Sequence, residues 1–383
     1  MSIETQPIVW VDDAAQLTEL CHQWQSQTAL AIDTEFMRVS TFYPEAGLVQ
    51  VGDGKAAYLI DPLVLSQHDH FRQLLVNPAI TKVLHSCSED LEVFQRSFGV
   101  CPSPLFDTQI AAAMAGYGFS IGYANLVQTL LEVELPKDAT RSDWLQRPLT
   151  DAQKRYAALD VTHLLVIYET LLTSLKASDR LSWVMNECAL ILQNVGPIDE
   201  VDPEYFRKVK LAWKLRPAEL VVLKALSHWR EMTARAKNIP RNHLMKENVL
   251  FNLAKFRPTT LGKLSKVEGM PSKTIREYGD VLVAMIKAAT ELPASDRPQR
   301  LPPPLSPQLG DLVKGLKALV REESERLKLP PELLVKKKDY EAIVRSGMNS
   351  GSYRLPPSIE QTWRNDLIGS VLLTYARAYS HSD

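Results

Sequence analysis

Polar and apolar positions along the first half of the chain alternate between two periods. Behind the acidic starters Asp12 and Asp13, the residues Ala15, Leu17, Leu20, Cys21 and Trp24 recur at helical spacing and predict an amphipathic helix over 12–25. Short apolar runs follow at 29–36, 48–52 and 57–60, each bounded by Gly, Pro or Asp as strands are. Asp53-Gly54 supplies a hairpin turn between the second and third runs. A fourth strand is predicted at 82–85, and Ser88 caps a helix to about Phe98 with Leu91, Phe94 and Phe98 on one face. Leu105-Phe106 is a short fifth strand ahead of an Ala-rich helix over 108–115, and further helices are predicted over 126–131 and 152–175. Three neighbouring strands, then strands alternating with helices, predict a mixed α/β sheet flanked by helices.

From about Asp202 onward the pattern is helical throughout. The stretch 293–307 holds six prolines and predicts an extended linker. A faint repeat flanks it. Leu223–Leu226 recurs as Leu316–Leu319, and Arg230-Glu231 as Arg321-Glu322. Ile239-Pro240 with Leu244 and Lys246 recurs as Leu329-Pro330 with Leu334 and Lys336. All but the first pair share an offset of 90 or 91 residues, which predicts two copies of a small helical domain. The expected organisation is a sheet domain over 1–200, helical domains over 205–292 and 308–383, and the proline-rich linker 293–307 between them.

At 383 residues, with 45% apolar and 23% charged side chains, the chain is an ordinary globular one and not a disordered, collagenous or coiled-coil protein. No uninterrupted apolar run approaches a membrane span, and Met1–Asp13 carries acids and no basic residue, unlike a signal peptide. Cys21, Cys87, Cys101 and Cys188 form no close pair, so neither a disulfide framework nor a zinc site is expected and a cytoplasmic location is. The net charge of −1 conceals a split. Residues 1–195 hold 12 basic and 23 acidic side chains, whereas 205–290 hold 18 basic and 6 acidic. An acidic front attached to a basic middle suits a metal-using site joined to something that holds a polyanion.

The chemistry concentrates in three short stretches. Asp33 and Glu35 stand two apart at the end of the first apolar run, so their carboxylates leave a strand on the same face. Two acids held so close repel unless a proton or cation lies between them. Asp90 opens the helix after the fourth strand, where an acid also suits a helix N-terminus. Tyr156 and Asp160 are four apart on one helix face, with Ala157 and Ala158 leaving open space beside them. Four carboxylates and a phenol suit two hard, oxygen-seeking divalent cations, Mg²⁺ or Mn²⁺. Such a pair activates a water and stabilises the leaving oxygen of a phosphodiester.

The order Asp-x-Glu, Asp, Tyr-x3-Asp resembles the DEDDy branch of the DnaQ-like 3′→5′ exonucleases, which share a ribonuclease-H-like fold. Ala31–Phe36, His85–Leu91, Ser142–Trp144 and Arg147–Thr150 leading to Tyr156–Asp160 resemble the bacterial ribonuclease D family in particular. The basic tail resembles helicase-and-ribonuclease-D C-terminal (HRDC) domains, with the first copy the better match. The resemblance implies a ribonuclease-H-like exonuclease domain followed by two all-α HRDC-type domains. It implies metal-dependent removal of 3′-terminal nucleotides as 5′-monophosphates, and RNA as partner, tRNA precursors above all, with no membrane and no obligate protein partner. Asp33 would bridge both metals, Glu35 and Asp160 would complete the site of the attacking water, Asp90 would hold the second metal, and Tyr156 would orient the water.

Around this set, Phe36 and Met37 are placed to wedge against the terminal base, Gln50 to bond its ribose or base, and Arg141 and Arg147 to contact phosphate. Phe42 and Tyr43 are candidates to cover the site. His85 and Asp107 read as structural, and Trp144 as a packing anchor. In the tail, Arg230, Arg235, Lys237, Arg241, Lys246, Lys255, Arg257, Lys263, Lys266 and Lys273 are interleaved with His228, Trp229, Phe251 and Phe256. Some of these form the expected phosphate-tracking face. A 3′→5′ DNA exonuclease of a repair or proofreading type is the alternative, and a non-catalytic RNA scaffold a third; four mutually repelling acids argue against the scaffold.

Overall fold

The structure, a computed structural model, describes residues 6–65, 68–136, 142–197, 200–348 and 351–380. Six strands form one mixed sheet: β1 (Ile8–Val11), β2 (Ala29–Met37), β3 (Glu45–Gly52), β4 (Ala57–Ile60), β5 (Thr81–Leu84) and β6 (Leu105–Asp107), in the order β1-β4-β3-β2-β5-β6. The central trio β4-β3-β2 is antiparallel, and parallel strands flank it on both sides. Asp53 closes the β3–β4 turn by accepting the N–H groups of Lys55 and Ala56, and Gly54 takes the left-handed conformation there (φ 81°).

Helices cover the sheet: α1 (Ala14–Trp24), α2 (Asp69–Leu75), α3 (Ser88–Phe98), α4 (Thr108–Met114), α5 (Tyr123–Leu131), α6 (Asp151–Thr162), α7 (Leu164–Ala177) and α8 (Leu181–Asn194). The expected strands and helices are present, and β1, α2 and α8 join them. One expectation is corrected: the helix over 152–175 is two helices, because the chain breaks at His163 between α6 and α7. The span 151–177 is apolar and long enough to pass as a membrane helix on composition. Its apolar face, however, is committed to the sheet, with Ala157, Val161, Leu164, Ile167, Leu171 and Leu175 all buried.

The tail is helical, with α9 (Pro217–Ala236), α10 (Arg241–Leu244), α11 (Glu247–Phe256), α12 (Leu261–Leu264) and α13 (Ser272–Glu291) around one apolar core. A second core gathers α14 (Gly310–Leu327), α15 (Pro331–Leu334), α16 (Lys337–Gly347), α17 (Pro357–Glu360) and α18 (Ser370–Ser380), the last entered through a π-helical turn at Asn365–Gly369. The first set runs long, short, medium, short, long; the second has the same number of helices, with α16 and α18 both 11 residues long. The proline-rich stretch is extended but not a free spacer, since Leu301 is buried in the first helical core. The chain divides into two compact units. One holds residues 1–37, 45–196 and 305–383, the other residues 38–44 and 197–304. The last helical segment therefore belongs to the same unit as the sheet, and the short loop after β2 belongs to the first helical domain.

Candidate active site

Strand β2 delivers the acid pair. Its buried run Leu30-Ala31-Ile32 anchors it in the sheet, and a bulge between Glu35 and Phe36 ends its regular pairing. Ala31, Asp33 and Glu35 share the face over which α6 lies. The close approach depends on glycine: a Cβ on Gly52, paired with Ala31, would stand 2.9 Å from the Val161 carbonyl oxygen. A Cβ on Gly47 would stand 2.5 Å from the carbonyl oxygen of Trp144, in the loop that leads into α6. A Thr150–Gln153 capping box fixes the start of α6. Two turns on, Tyr156 and Asp160 come over β2.

Asp33, Glu35 and Asp160 offer carboxylate oxygens that all lie within 4.8 Å of one another. Asp90 stands apart from that trio, buried at the start of α3, where Thr34 on the opposite face of β2 donates to its Oδ1 at 2.5 Å. Its charge still acts on Asp33. Asp107 sets the turn that carries α3: its carboxylate accepts the N–H groups of Ser86 and Cys87 there and of Gln109 and Ile110 at the start of α4. His85 bridges Thr108 Oγ1 at 2.9 Å and the Ile121 carbonyl at 3.1 Å, a structural role.

The electrostatics are those of a site lacking its counter-charge. Burial first, then the charges of Asp90, Asp160 and Glu35, hold Asp33 well above the usual carboxylate range. Burial and then Asp160 push Glu35 up to about 8. Burial pushes Asp90 to about 7, against the Thr34 hydrogen bond that lowers it, and burial with the Asp90 charge pushes Asp160 to about 7. Among the described residues no Lys or Arg pairs with any of the four. Burial and the neighbouring carboxylates also raise Tyr156, so its hydroxyl keeps its proton at neutral pH. Gln50 is fully buried on β3, directly opposite Asp33 in the register, and both its amide oxygen and nitrogen lack a partner within the protein. An all-oxygen donor set with raised pKa values beside an orphaned amide fits a hard divalent cation.

The other expected residues separate. Phe36 is partly exposed, while Met37 packs with Leu48, Leu59, Leu149 and Trp144, the buried anchor beside Tyr156. Arg147 is committed elsewhere: it grips Asp61 through Nε at 2.6 Å and Nη2 at 2.7 Å. Its remaining bonds go to the carbonyls of Gly47, Trp144 and Gln146. It fastens the loop ahead of α6 and has no donor to spare for a phosphate. Arg141 lies outside the described residues. Phe42 and Tyr43 belong to the unit of the first helical domain. Their rings pack with Ala234 and Leu244, and their N–H groups donate to Asn238 Oδ1 at 3.1 Å. One residue has no signal in the sequence. Tyr123, at the start of α5, donates its hydroxyl to the Leu159 carbonyl at 3.0 Å, and burial, then the charges of Asp160 and Asp33, raise its pKa.

Comparison with known proteins gives the family. A family model described as a 3′-5′ exonuclease matches residues 8–176, and an HRDC domain model matches 219–286. The ribonuclease D of Pseudomonas paraeruginosa is 48% identical over 374 residues, spanning 97% of this chain and 98% of that protein. The ribonuclease D of Escherichia coli K12 is 36% identical over 374 residues, again 97% and 98%. The crystal structure of Escherichia coli RNase D, described as an exoribonuclease involved in structured RNA processing, superposes with a TM-score of 0.90 at 34% identity. It covers 98% of this chain and all of that one. The catalytic core of RRP6 from Trypanosoma brucei shares the fold, with a TM-score of 0.60 at 24% identity over 76% of this chain and 81% of that one. An α/β exonuclease sheet followed by HRDC-type helices, with ribonuclease D relatives matched along almost their whole length, places the chain in the ribonuclease D family of 3′→5′ exoribonucleases.

Proposed function

We propose that the chain trims the 3′ ends of structured RNAs, tRNA precursors with 3′ extensions among them. It releases nucleoside 5′-monophosphates with the help of two divalent cations, Mg²⁺ or Mn²⁺. The observation that carries this reading is the convergence of Asp33, Glu35 and Asp160 within 4.8 Å, with the charge of Asp90 acting on Asp33. In this reading Asp33, Glu35 and Asp160 would hold the cation that activates the water, and Asp90 would help to hold the second. When bound, the cations stabilise charge on the phosphodiester and lower the pKa of the attacking water. Tyr156, neutral because its surroundings disfavour the phenolate, orients that water by a hydrogen bond and does not act as its base. Gln50 offers its unpartnered amide to the terminal nucleotide, and Phe36 offers a ring for the terminal base. The description of the Escherichia coli relative supports structured RNA as the substrate class. The same reading takes 1–200 as the exonuclease domain, 205–292 as the first HRDC-type domain, 293–307 as the connection and 308–383 as a diverged second copy.

The test is a time course on a 5′-labelled tRNA bearing a 3′ extension, with Mg²⁺, with Mn²⁺, with EDTA, and beside a DNA strand of equal length. The expected result is a metal-dependent ladder shortening from the RNA 3′ end, little action on DNA, and no ladder from Asp33→Asn. Tyr156→Phe should slow cleavage about a hundredfold or more while RNA binding is kept. An Asp33→Asn protein that still yields the ladder would overturn the assignment.

A further inference from the structure

The two helical copies serve as an internal control. At an offset of 90 residues their architecture coincides: Leu226 and Leu316, Ala234 and Ser324, Leu244 and Leu334, Met245 and Val335 are all buried pairs. Asn238 and Lys328 both take the left-handed conformation, at φ 48° and 54°. Pro240 and Pro330 precede the short helices α10 and α15, and Lys246 and Lys336 cap α11 and α16. On this register the sequence match of Arg230 with Arg321 slips by one. The true counterpart of Arg230 is Val320, buried in its core, whereas Arg321 is exposed and bonded to Glu325. The counterpart of Arg241 is Pro331. The second copy builds the same helices with neither cation, so the helical fold does not require them.

In the first copy the burial of Arg230 costs free energy. Arg230 is 2% exposed. Its Nη1 donates to the Met245 carbonyl at 3.1 Å and Nη2 to the Tyr205 hydroxyl at 3.4 Å, but the buried Nε has no partner. Burial, with the Arg241 charge adding to it, lowers the Arg230 pKa, yet an arginine stays charged. Arg241 lies over the Phe42 ring at 4.6 Å and is bonded through Nη2 to Glu231 at 2.8 Å. Glu231 is shared with Arg235, and Glu247 also accepts the Lys210 N–H. Beside them opens a cavity of about 470 Å³ whose lining includes Arg38, Phe42, Tyr205, Arg230, Arg241 and Glu247. Arg38 comes from the loop that leaves the catalytic strand, its Nε bonded to the Phe42 carbonyl at 3.0 Å. Three guanidinium groups, those of Arg38, Arg230 and Arg241, line it against the single carboxylate of Glu247. The surplus is cationic, in a hollow large enough for a phosphate ester.

We propose that this cavity binds a backbone phosphate of the RNA strand, with Arg230 as its buried floor and Arg241 and Arg38 as its walls. The proposal rests on the exoribonuclease reading and adds a substrate contact outside the four carboxylates. A released nucleoside monophosphate presents the same phosphate chemistry and is the competing source.

The experiment uses the full chain carrying Asp33→Asn, so that RNA stays intact, and a short 5′-fluorescent single-stranded RNA followed by anisotropy over a KCl series. Arg230→Val installs the residue the second copy already carries, and Arg241→Gln carries the test if Arg230→Val does not fold. Each variant is first checked by circular dichroism and melting temperature. Expected is an affinity loss of about tenfold or more and a salt slope shallower by about 0.7, one phosphate contact on a single strand. Neutral methylphosphonate substituted at single positions of the RNA should weaken the parent at one site, and that site-specific loss should vanish in the variants. Folded variants with the parent's affinity, slope and methylphosphonate profile would overturn the proposal. So would variants that lose binding of adenosine 5′-monophosphate by calorimetry while keeping RNA affinity, since the cavity would then hold product. If the chain with Asp33 intact leaves this RNA undigested with Mg²⁺ and Mn²⁺, the exoribonuclease reading fails, visibly and separately, and the assignment falls with it.

Discussion

Asp33, Glu35, Asp90 and Asp160 are a stability problem until a cation arrives, and the sign of the effect is fixed. All four carboxyls are raised above their ordinary values, with Glu35 near 8 and Asp90 and Asp160 near 7. Between about pH 4, where the unfolded chain titrates, and those folded values, the native protein holds more protons than the unfolded one. Their contribution is therefore complete below the unfolded value and is lost as pH rises through the folded values. Scanning calorimetry in EDTA should show a melting temperature that falls from about pH 5 to about pH 8. Excess Mg²⁺ should cancel the fall, and Asp160→Asn should flatten it. A melting curve in EDTA with the same pH slope for Asp160→Asn and its parent would mean the cluster is already neutralised. Gln50 poses the same conflict without charge. A buried amide without partners costs about 1–3 kcal/mol, so Gln50→Leu, close in volume, should raise the urea midpoint while slowing nucleotide release. A drop in that midpoint would show that the amide is satisfied in the free protein.

The elements were legible where a single period ran long enough. Strand β2 and the β3–β4 turn follow from a bounded apolar run and from Asp-Gly chemistry, and α3 from its apolar spacing; the expected Ser88 cap is absent, since Ser88 is the first residue of the helix and the N-cap position, Cys87, makes no side-chain bond. The spacing of Asp33 with Glu35 and of Tyr156 with Asp160 needed only the strand and helix periods. Other features depend on partners far along the chain. The break at His163 interrupts a continuous apolar pattern, so periodicity does not reveal it. Tyr123 gains its place only because α5 and α6 meet, through a carbonyl 36 residues away. Arg147 looked like a phosphate ligand because its buried partner, Asp61, lies 86 residues earlier. That ion pair holds the loop which Gly47 admits against β3, so it positions α6. Arg147→Ala should destabilise the protein by about 3–5 kcal/mol by leaving Asp61 buried and unpaired. Arg147→Lys should rescue little, since an ammonium cannot make two parallel bonds to Asp61 and still reach three carbonyls. Chemical denaturation decides it; a Lys variant as stable as the parent would reduce the fork to a simple charge.

At the scale of the molecule, the last helical segment is built into the exonuclease unit, and the proline-rich connection does not leave it loose. Trp183 of α8 stacks on Trp363 with centroids 4.6 Å apart and planes 9° from parallel. Glu187 accepts Trp363 Nε1 at 3.1 Å and Arg364 Nη1 at 2.6 Å, and Arg180 Nη2 reaches the Leu327 carbonyl at 2.6 Å. Leu329 and Leu333 are buried in the same core as the sheet residues. Deleting residues 305–383 would thus uncover Trp183 and leave Glu187 without its partners, and any loss of RNA trimming would be mixed with a loss of stability. A double-mutant cycle separates the two effects. Trp183→Ala and Trp363→Ala should each destabilise, and together by less than their sum, with a coupling of about 0.5–1.5 kcal/mol from the stacked rings. Additive losses would mean the stack contributes only its buried area. If the coupling is present and the double variant still trims RNA at temperatures where it is folded, the second copy acts as a brace for the catalytic sheet. If the folded double variant instead binds RNA more weakly, the same contact also presents the second copy to the strand.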